Sequence, residues 1–407
     1  MKSVIEPGTT SALFARARVI PIVIVGGLIL LTAWLWPLSQ VEDVAVDLRI
    51  YRGAIESMLH GHGLYDYAMP LASGPAPFLY PPFAALVMLP AQGLPLGSVA
   101  RGWMLIQVGM TVVVSWLLLR DARWRRGPAV PVVSWLLVLV SHPVMFGISF
   151  GQISLTITVL ALLDIVVLPA RWRGTLIGIA GALKLTPMFF VPYFLLTRQW
   201  RAAINASAAF FCAAALGFVA LPRESLTYWT SIVFRSERIP NLDSPSNLTI
   251  FGDLLMWDVP DPVRGPLWLS LALGVAVLAL AAGRRHFRAG ESVAAAIVIG
   301  LASTTIGPVA WNHHLVWLVV AGLYVVLNSS RREAAVGWIL LALSIVMSPI
   351  WPNEGEPVLW RKLSGMIPLL VCIGLSCVGL PRRQGASRAA GTEQPVIDES
   401  VEVRADA

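Results

Sequence analysis

Six side chains in this sequence carry chemistry that their apolar surroundings do not require: Asp47, His142, Gln152, Lys184, His313 and His314. A carboxylate can take a proton from a hydroxyl, a buried cation can hold a phosphate, and histidines and an amide can contact sugar hydroxyls or phosphate oxygens. Lys184 is the sharpest of them. It lies in Ala182-Leu183-Lys184-Leu185-Thr186-Pro187, at the middle of the apolar run 175–197. A lysine at such a depth costs roughly 2.5–3.5 kcal/mol and calls for an anionic partner; the plainer account is an ion pair with a nearby carboxylate. Asp47 opens the run Asp47-Leu48-Arg49-Ile50-Tyr51, after Glu42 and Asp43. The spacing of Leu48, Tyr51, Ile55 and Leu59 predicts an amphipathic helix lying in the membrane interface, with Asp47 as its N-cap. An N-cap role alone is the plainer account here. The pair His313-His314 follows Trp311-Asn312. Helical neighbours point about 100° apart, so the two suit one cavity-lining and one packing histidine better than a shared zinc ion.

The elements that must position these groups are membrane helices. Of 407 residues, 57% are hydrophobic and 13% charged, and mean hydropathy is +0.72; a soluble chain carries about 25% charged residues. Apolar runs near the ~20 residues needed to cross a bilayer recur from end to end. The first, 19–36, follows Arg16 and Arg18 and has no small-residue cleavage site, so it reads as a retained anchor. Cys212, Cys372 and Cys377 all fall inside apolar runs, which implies neither a disulfide framework nor a metal knuckle.

Orientation follows from the basic loops. The N-terminal segment, the clusters at Arg120–126, Arg171/Arg173, Arg198/Arg201, Arg284/Arg285/Arg288 and Arg331/Arg332, and the tail hold 20 basic against 9 acidic residues; the rest of the chain holds 10 against 14. The first set is therefore placed in the cytoplasm, and topology, not nucleic acid, accounts for the pI near 9.7. Parity then leaves 83–95, broken by prolines, re-entrant or only partly spanning, and makes 175–197 cross twice or not at all, which a helical hairpin with Lys184 near its apex fits. The expectation is an all-α polytopic plasma-membrane protein with about twelve membrane helices in residues 1–380. Its two large outer segments are 38–78 and 222–265, and a polar cytoplasmic tail, 381–407, is expected to be disordered.

With this topology the six groups converge on the outer face. No Walker A motif and no GxGxxG between a strand and a helix occurs. A sugar donor used outside the membrane cannot be a nucleotide sugar made inside, so it would be lipid-linked.

Five blocks occur in order: Asp47-Leu48-Arg49-Ile50-Tyr51, Tyr80-Pro81-Pro82-Phe83-Ala84-Ala85, Phe150-Gly151-Gln152-Ile153, Ala182–Pro187 and Trp311-Asn312-His313-His314. Together, from about residue 46 to 327, they resemble the actinobacterial GT-C glycosyltransferases of family 87, the polyprenol-phosphate-mannose-dependent α-mannosyltransferases. The likeness points to the α-1,2-mannosyltransferases that extend phosphatidylinositol mannosides. Lipoarabinomannan-branching mannosyltransferases and an arabinofuranosyltransferase share the pattern.

The resemblance implies inverting transfer from a β-linked polyprenyl-phospho-mannose, with an essential acid in the first outer loop. Only Asp47 occupies that place within the matching motif. Asp47 is then expected to be the general base. Lys184 would hold the donor phosphate with His313 or His314 and Arg49, while Gln152, His142 and Tyr80 would form the wall around the donor sugar. Arg235, Arg238, Asn241 and Asp243 of the 222–265 loop would cover a glycolipid acceptor headgroup. No Asp-x-Asp pair is present, so neither a metal nor another cofactor is expected; the partners are the lipid-linked donor, the glycolipid acceptor and membrane lipids, with no nucleic acid. The rival from another class is a transporter or flippase for a lipid-linked sugar. The one-sided polar constellation and the lack of an internal repeat count against it.

Overall fold

The computed structural model describes residues 45–71, 74–122, 127–350 and 358–381, with backbone alone at 347–350, 358 and 361. The expected anchor at 19–36, Glu42, Asp43 and the tail beyond 381 lie outside these residues. Helix α1 (Val46–Leu59) begins after Ala45, whose φ of 60° turns the chain and whose N–H donates to the Ser149 carbonyl at 2.7 Å. Asp47 therefore falls in the first turn of α1 and is not its N-cap. The buried stripe is Ile50, Tyr51, Ala54 and Ile55, whereas Leu59 is exposed. The helix packs against Leu64, Tyr65 and Phe78 of its own outer segment, so its apolar face meets protein where the sequence suggested lipid.

A two-residue ribbon, β1 (Ala68–Met69) against β2 (Ala76–Pro77), departs from the all-α expectation, with Ala68 opposite Pro77. Then come α2 (Pro82–Met88) and a 3-10 turn at Leu89–Gly93. Seven helical residues rise only about 10 Å, well short of the ~30 Å hydrocarbon core of a bilayer. Arg52 of α1 donates to the carbonyls of Leu94 and Gln92 at 2.6 and 3.3 Å and clamps α1 onto that turn. Helix α3 (Leu96–Asp121) is long and apolar enough to cross a membrane. Helices α4 (Val130–Leu139) and α5 (His142–Phe150) are bent by 58° at their junction. The Gly151 carbonyl at the end of α5 accepts from the Trp103 indole at 3.2 Å. His142 opens α5 at the bent junction, at the opposite end of that helix from Gly151.

After α6 (Ser154–Val166), α7 (Thr175–Leu183) packs on α9 (Trp200–Ala220). A Cβ at Gly174 would meet the backbone of Ala202, one at Gly178 that of Ala206, and one at Gly181 would contact Phe210. The two helices therefore run parallel in close register, small residue against small residue. Between them the chain must return, through a 3-10 turn at Thr186–Phe189 and α8 (Phe190–Leu196). This is the predicted hairpin, with Lys184 at its break. Its closed end is fixed by Asp164 of α6, whose carboxylate accepts from the N–H groups of Gly174, Leu176 and Ile177 at 2.6, 2.9 and 3.3 Å.

The 222–265 segment folds as α10 (Pro222–Thr230), two 3-10 turns and α11 (Ile250–Met256), and leads into α12 (Asp261–Arg288). Helices α13 (Ser292–Thr305) and α14 (Val316–Asn328) are buried on nearly every side and form the centre of the bundle. A 3-10 turn at Asn312–His314 joins them, and α15 (Arg331–Ile350) and α16 (Val358–Val378) complete the bundle. Among the described residues three helices, α3, α9 and α12, are long and apolar enough to cross a membrane, or four if the bent pair is one span. Ile204, Phe211 and Val219 on α9 and Leu269, Leu273 and Val277 on α12 point outward, as lipid-facing residues do. The chain is a mostly helical polytopic membrane protein.

Candidate active site

One cavity of about 830 Å³ lies where the 45–80 and 222–265 segments meet the hairpin break and the Asn312–His314 turn, within the usual size range of ligand sites. Asp47, Tyr80, Gln152, Lys184, His313, His314, Arg235 and Asn241 line it. These residues come from six separate segments, and two hydrogen-bonded chains organise them. In the first, Tyr51 donates to the Tyr80 hydroxyl at 3.2 Å, Tyr80 donates to Gln152 Oε1 at 3.1 Å, and Gln152 Nε2 donates to Asp47 Oδ2. In the second, Trp311 N–H donates to His314 Nδ1 at 2.7 Å, and His314 Nε2 meets Lys184 Nζ. The Lys184 amine also lies 5.5 Å from the centre of the Tyr80 ring, so Tyr80 touches both chains.

Burial raises the Asp47 carboxyl to about 6, and the Gln152 hydrogen bond only partly opposes that rise. Such a carboxylate is ionised at neutral pH yet is a far better proton acceptor than an ordinary aspartate. Burial also pushes the Tyr80 and Tyr51 hydroxyls above the usual phenol range, so both act as neutral hydrogen-bonding groups. Asp47 is the only carboxylate among the described residues that line the cavity. Among the described residues no three of His, Cys, Asp and Glu gather closely enough to hold a metal ion.

Four expected site residues stand elsewhere. His142 stacks on Phe146 at 5.3 Å, and Phe146 in turn faces His313 at 6.1 Å; His142 supports the wall from behind rather than lining it. Arg238 donates to the Tyr65 carbonyl, tying the second outer segment to the first. Asp243 is exposed and outside the cavity lining, and Arg49 is half-buried and also outside it. An i to i+4 step from Asp47 carries Tyr51 onto the same face of α1, and that spacing was the available signal for its role. Asn247 gave no such signal. It is buried, donates to the carbonyls of Leu242 and Pro308, and accepts from Ala310 N–H and the Thr249 hydroxyl. It pins the second outer segment to the stretch that carries the two histidines.

The Glycosyltransferase family 87 profile matches residues 78–308 of this chain. The chain belongs to glycosyltransferase family 87. It is therefore a glycosyltransferase. The family 87 match takes in Tyr80, Gln152, Lys184 and the 222–265 segment, while Asp47 and the Trp311–His314 block lie to either side of it. Among its relatives is a Mycobacterium tuberculosis protein described as a polyprenol-phosphate-mannose-dependent alpha-(1-2)-phosphatidylinositol mannoside mannosyltransferase. It is 33% identical over 360 residues, which are 81% of this chain and 83% of the relative. A Mycolicibacterium smegmatis protein described as the corresponding pentamannoside mannosyltransferase is 30% identical, covering 84% of this chain and 85% of its own length. No solved structure matches the chain.

Proposed function

We propose that this family 87 enzyme transfers mannose from polyprenyl-phospho-mannose to a phosphatidylinositol mannoside, forming an α-1,2 linkage with inversion. The observation that carries the reading is the single cavity that holds a proton-accepting carboxylate opposite a lysine–histidine pair. The donor and acceptor follow the relatives' descriptions. In the reaction Asp47 takes the proton of the acceptor hydroxyl as its oxygen attacks the anomeric carbon. The bond from that carbon to the phosphate oxygen breaks, and the electron pair stays on the leaving polyprenyl phosphate. Positioned general-base help of this kind is worth roughly 10²–10⁴-fold. Lys184, His314 and His313 face the phosphate and stabilise the charge it gains. Gln152 and Tyr80 hold the Asp47 carboxylate in aim and border the sugar, and Arg235 and Asn241 reach toward the acceptor headgroup. Protein cations, rather than a metal, balance the phosphate in this reading, because the described residues of the lining offer only one carboxylate.

The positive-inside pattern supports a plasma-membrane location with the cavity on the outer side. On α12, Trp268 lies at the cavity and Arg284, Arg285 and Arg288 lie about 24 Å or more away along the helix. A GT-C membrane domain over 1–380 with about twelve membrane helices and a cytoplasmic tail completes the proposal.

The test uses purified full-length protein in nanodiscs, with polyprenyl-phospho-mannose and a phosphatidylinositol tetramannoside. Gain of one hexose by the acceptor, seen by mass, is the expected result. Activity only with the polyprenyl-phospho-arabinose donor would move the enzyme to the arabinofuranosyl branch. Lipid flipping without any sugar transfer would overturn the reading.

A further inference from the structure

The second hydrogen-bonded chain fixes more than position. A backbone N–H can only donate, so the Trp311 N–H requires a lone pair on His314 Nδ1. A neutral imidazole then carries its one proton on Nε2, the atom that meets Lys184 Nζ. An ammonium has three donors and no lone pair, so an ammonium facing Nε2–H sets donor against donor. Turning the ring over places carbon atoms at both contacts and loses both. An ammonium could bond Nε2 only if the ring were an imidazolate, which no group in the cavity supports. The arrangement that satisfies every atom is Nε2–H donating to the lone pair of a neutral lysine amine.

We infer that Lys184, while paired with His314, is an uncharged amine, and that the donor's phosphate is taken up together with one proton. This rests on the proposed lipid-phosphate donor. The proton comes from solvent and adds to the Nζ lone pair, turning R–NH₂ into R–NH₃⁺. The new ammonium no longer accepts from His314, so it turns to the phosphate oxygens and leaves the His314 Nε2–H as a second donor to the same group. The fixed tautomer thereby makes His314 a phosphate donor in place of an acceptor. The other groups around Lys184 suit the exchange. They are Asp47 on α1, the neutral hydroxyls of Tyr80 and Tyr51, Gln152 at the start of α6, and His313, whose Nδ1 is buried without a partner. Asp47 is the only anion among them, and Gln152 already engages it, so an entering phosphate supplies the charge that a lysine cation lacks. After transfer, departure of the polyprenyl phosphate returns the lysine to His314 and its proton to solvent.

The sign of the pH dependence follows. The complex holds one more proton than the free enzyme, so affinity is full at low pH and is lost as pH rises. Between the lysine's free and bound pKa values, Kd rises tenfold per pH unit. Isothermal titration of the full-length protein in nanodiscs with polyprenyl-phospho-mannose, repeated in HEPES and in Tris buffer, counts the protons directly. From neutral to mildly alkaline pH the expected result is an enthalpy that differs between buffers by up to one proton taken up per donor bound. Lys184→Arg, which cannot be neutral, should bind donor with no buffer dependence and a flat pH profile. Tight wild-type binding with the same enthalpy in both buffers would overturn the inference and leave the proposed function standing. Absence of any binding would overturn both. The wild-type titrations decide the matter even if the arginine variant misfolds.

Discussion

The two ends of the α7–α8 hairpin treat buried polar groups in opposite ways. At the closed end, Asp164 is fully buried and its two oxygens accept three backbone N–H groups. Gly174 and Gly178 press against the α9 backbone there, and no space remains. At the open end the helix breaks at Lys184, and the side chains around it are tied to one another and, through His314, to the Trp311 N–H. Asp47 accepts a single side-chain amide and otherwise faces the cavity. One carboxylate has its bonding capacity filled and serves architecture. The other keeps capacity in reserve for a substrate. Unfilled capacity, more than burial or charge, separates the reacting end from the structural one.

Variants at the two ends should therefore fail differently. Asp47→Asn carries the largest expected effect, a loss of roughly 10²–10⁴ in transfer rate. Its thermal stability should be no lower than wild type. The Asp47 carboxyl is raised on folding, so above about pH 6 its charge opposes folding, and the amide removes that charge. Lys184→Met comes next. Loss of one preorganised donor to the phosphate should lower turnover by about 10²–10³-fold, read from product formation by mass. Asp164→Ala should act on stability instead, by roughly 1–3 kcal/mol for each N–H left without an acceptor. Unfolding curves in detergent check it, together with transfer per folded molecule, which should stay near wild type. Gly178→Val forces a side chain against the Ala206 carbonyl, which an added Cβ would meet at 2.2 Å. An overpacking cost of about 1–3 kcal/mol is expected from it. Tyr80→Phe is the smallest, since the net value of a hydrogen bond is about 0.5–1.5 kcal/mol, and about a tenfold fall in kcat/KM is expected.

The sequence made some of this comparison visible. Lys184 stood out because a lysine within an apolar run has few structural uses, and charge parity admitted a hairpin there. Asp47 was recognisable by motif, although its place in the helix was not, because a left-handed Ala45 starts α1 two residues earlier than an Asp47 cap would. His142, Arg49, Arg238 and Asp243 carry suitable chemistry but are directed elsewhere. The stacking of His142 and the tie from Arg238 to Tyr65 join segments far apart in the chain. Local spacing does not encode such contacts. The same holds for Asp164, which reads in the sequence as one more charge within an apolar run and proves to cap the next helix. Asn247, a hub between two outer segments, had no local pattern at all.

If Asp47 is the group that takes the proton, its titration will govern the acid side of the kcat/KM profile. Measured on wild type and on the residual activity of Asp47→Asn, with acceptor varied and donor saturating, the wild-type rate should fall tenfold per pH unit below about 6. In the variant that limb should vanish. A wild-type profile that stays flat well below that point, or the same limb surviving in Asp47→Asn, would contradict the assignment and place the base on another residue.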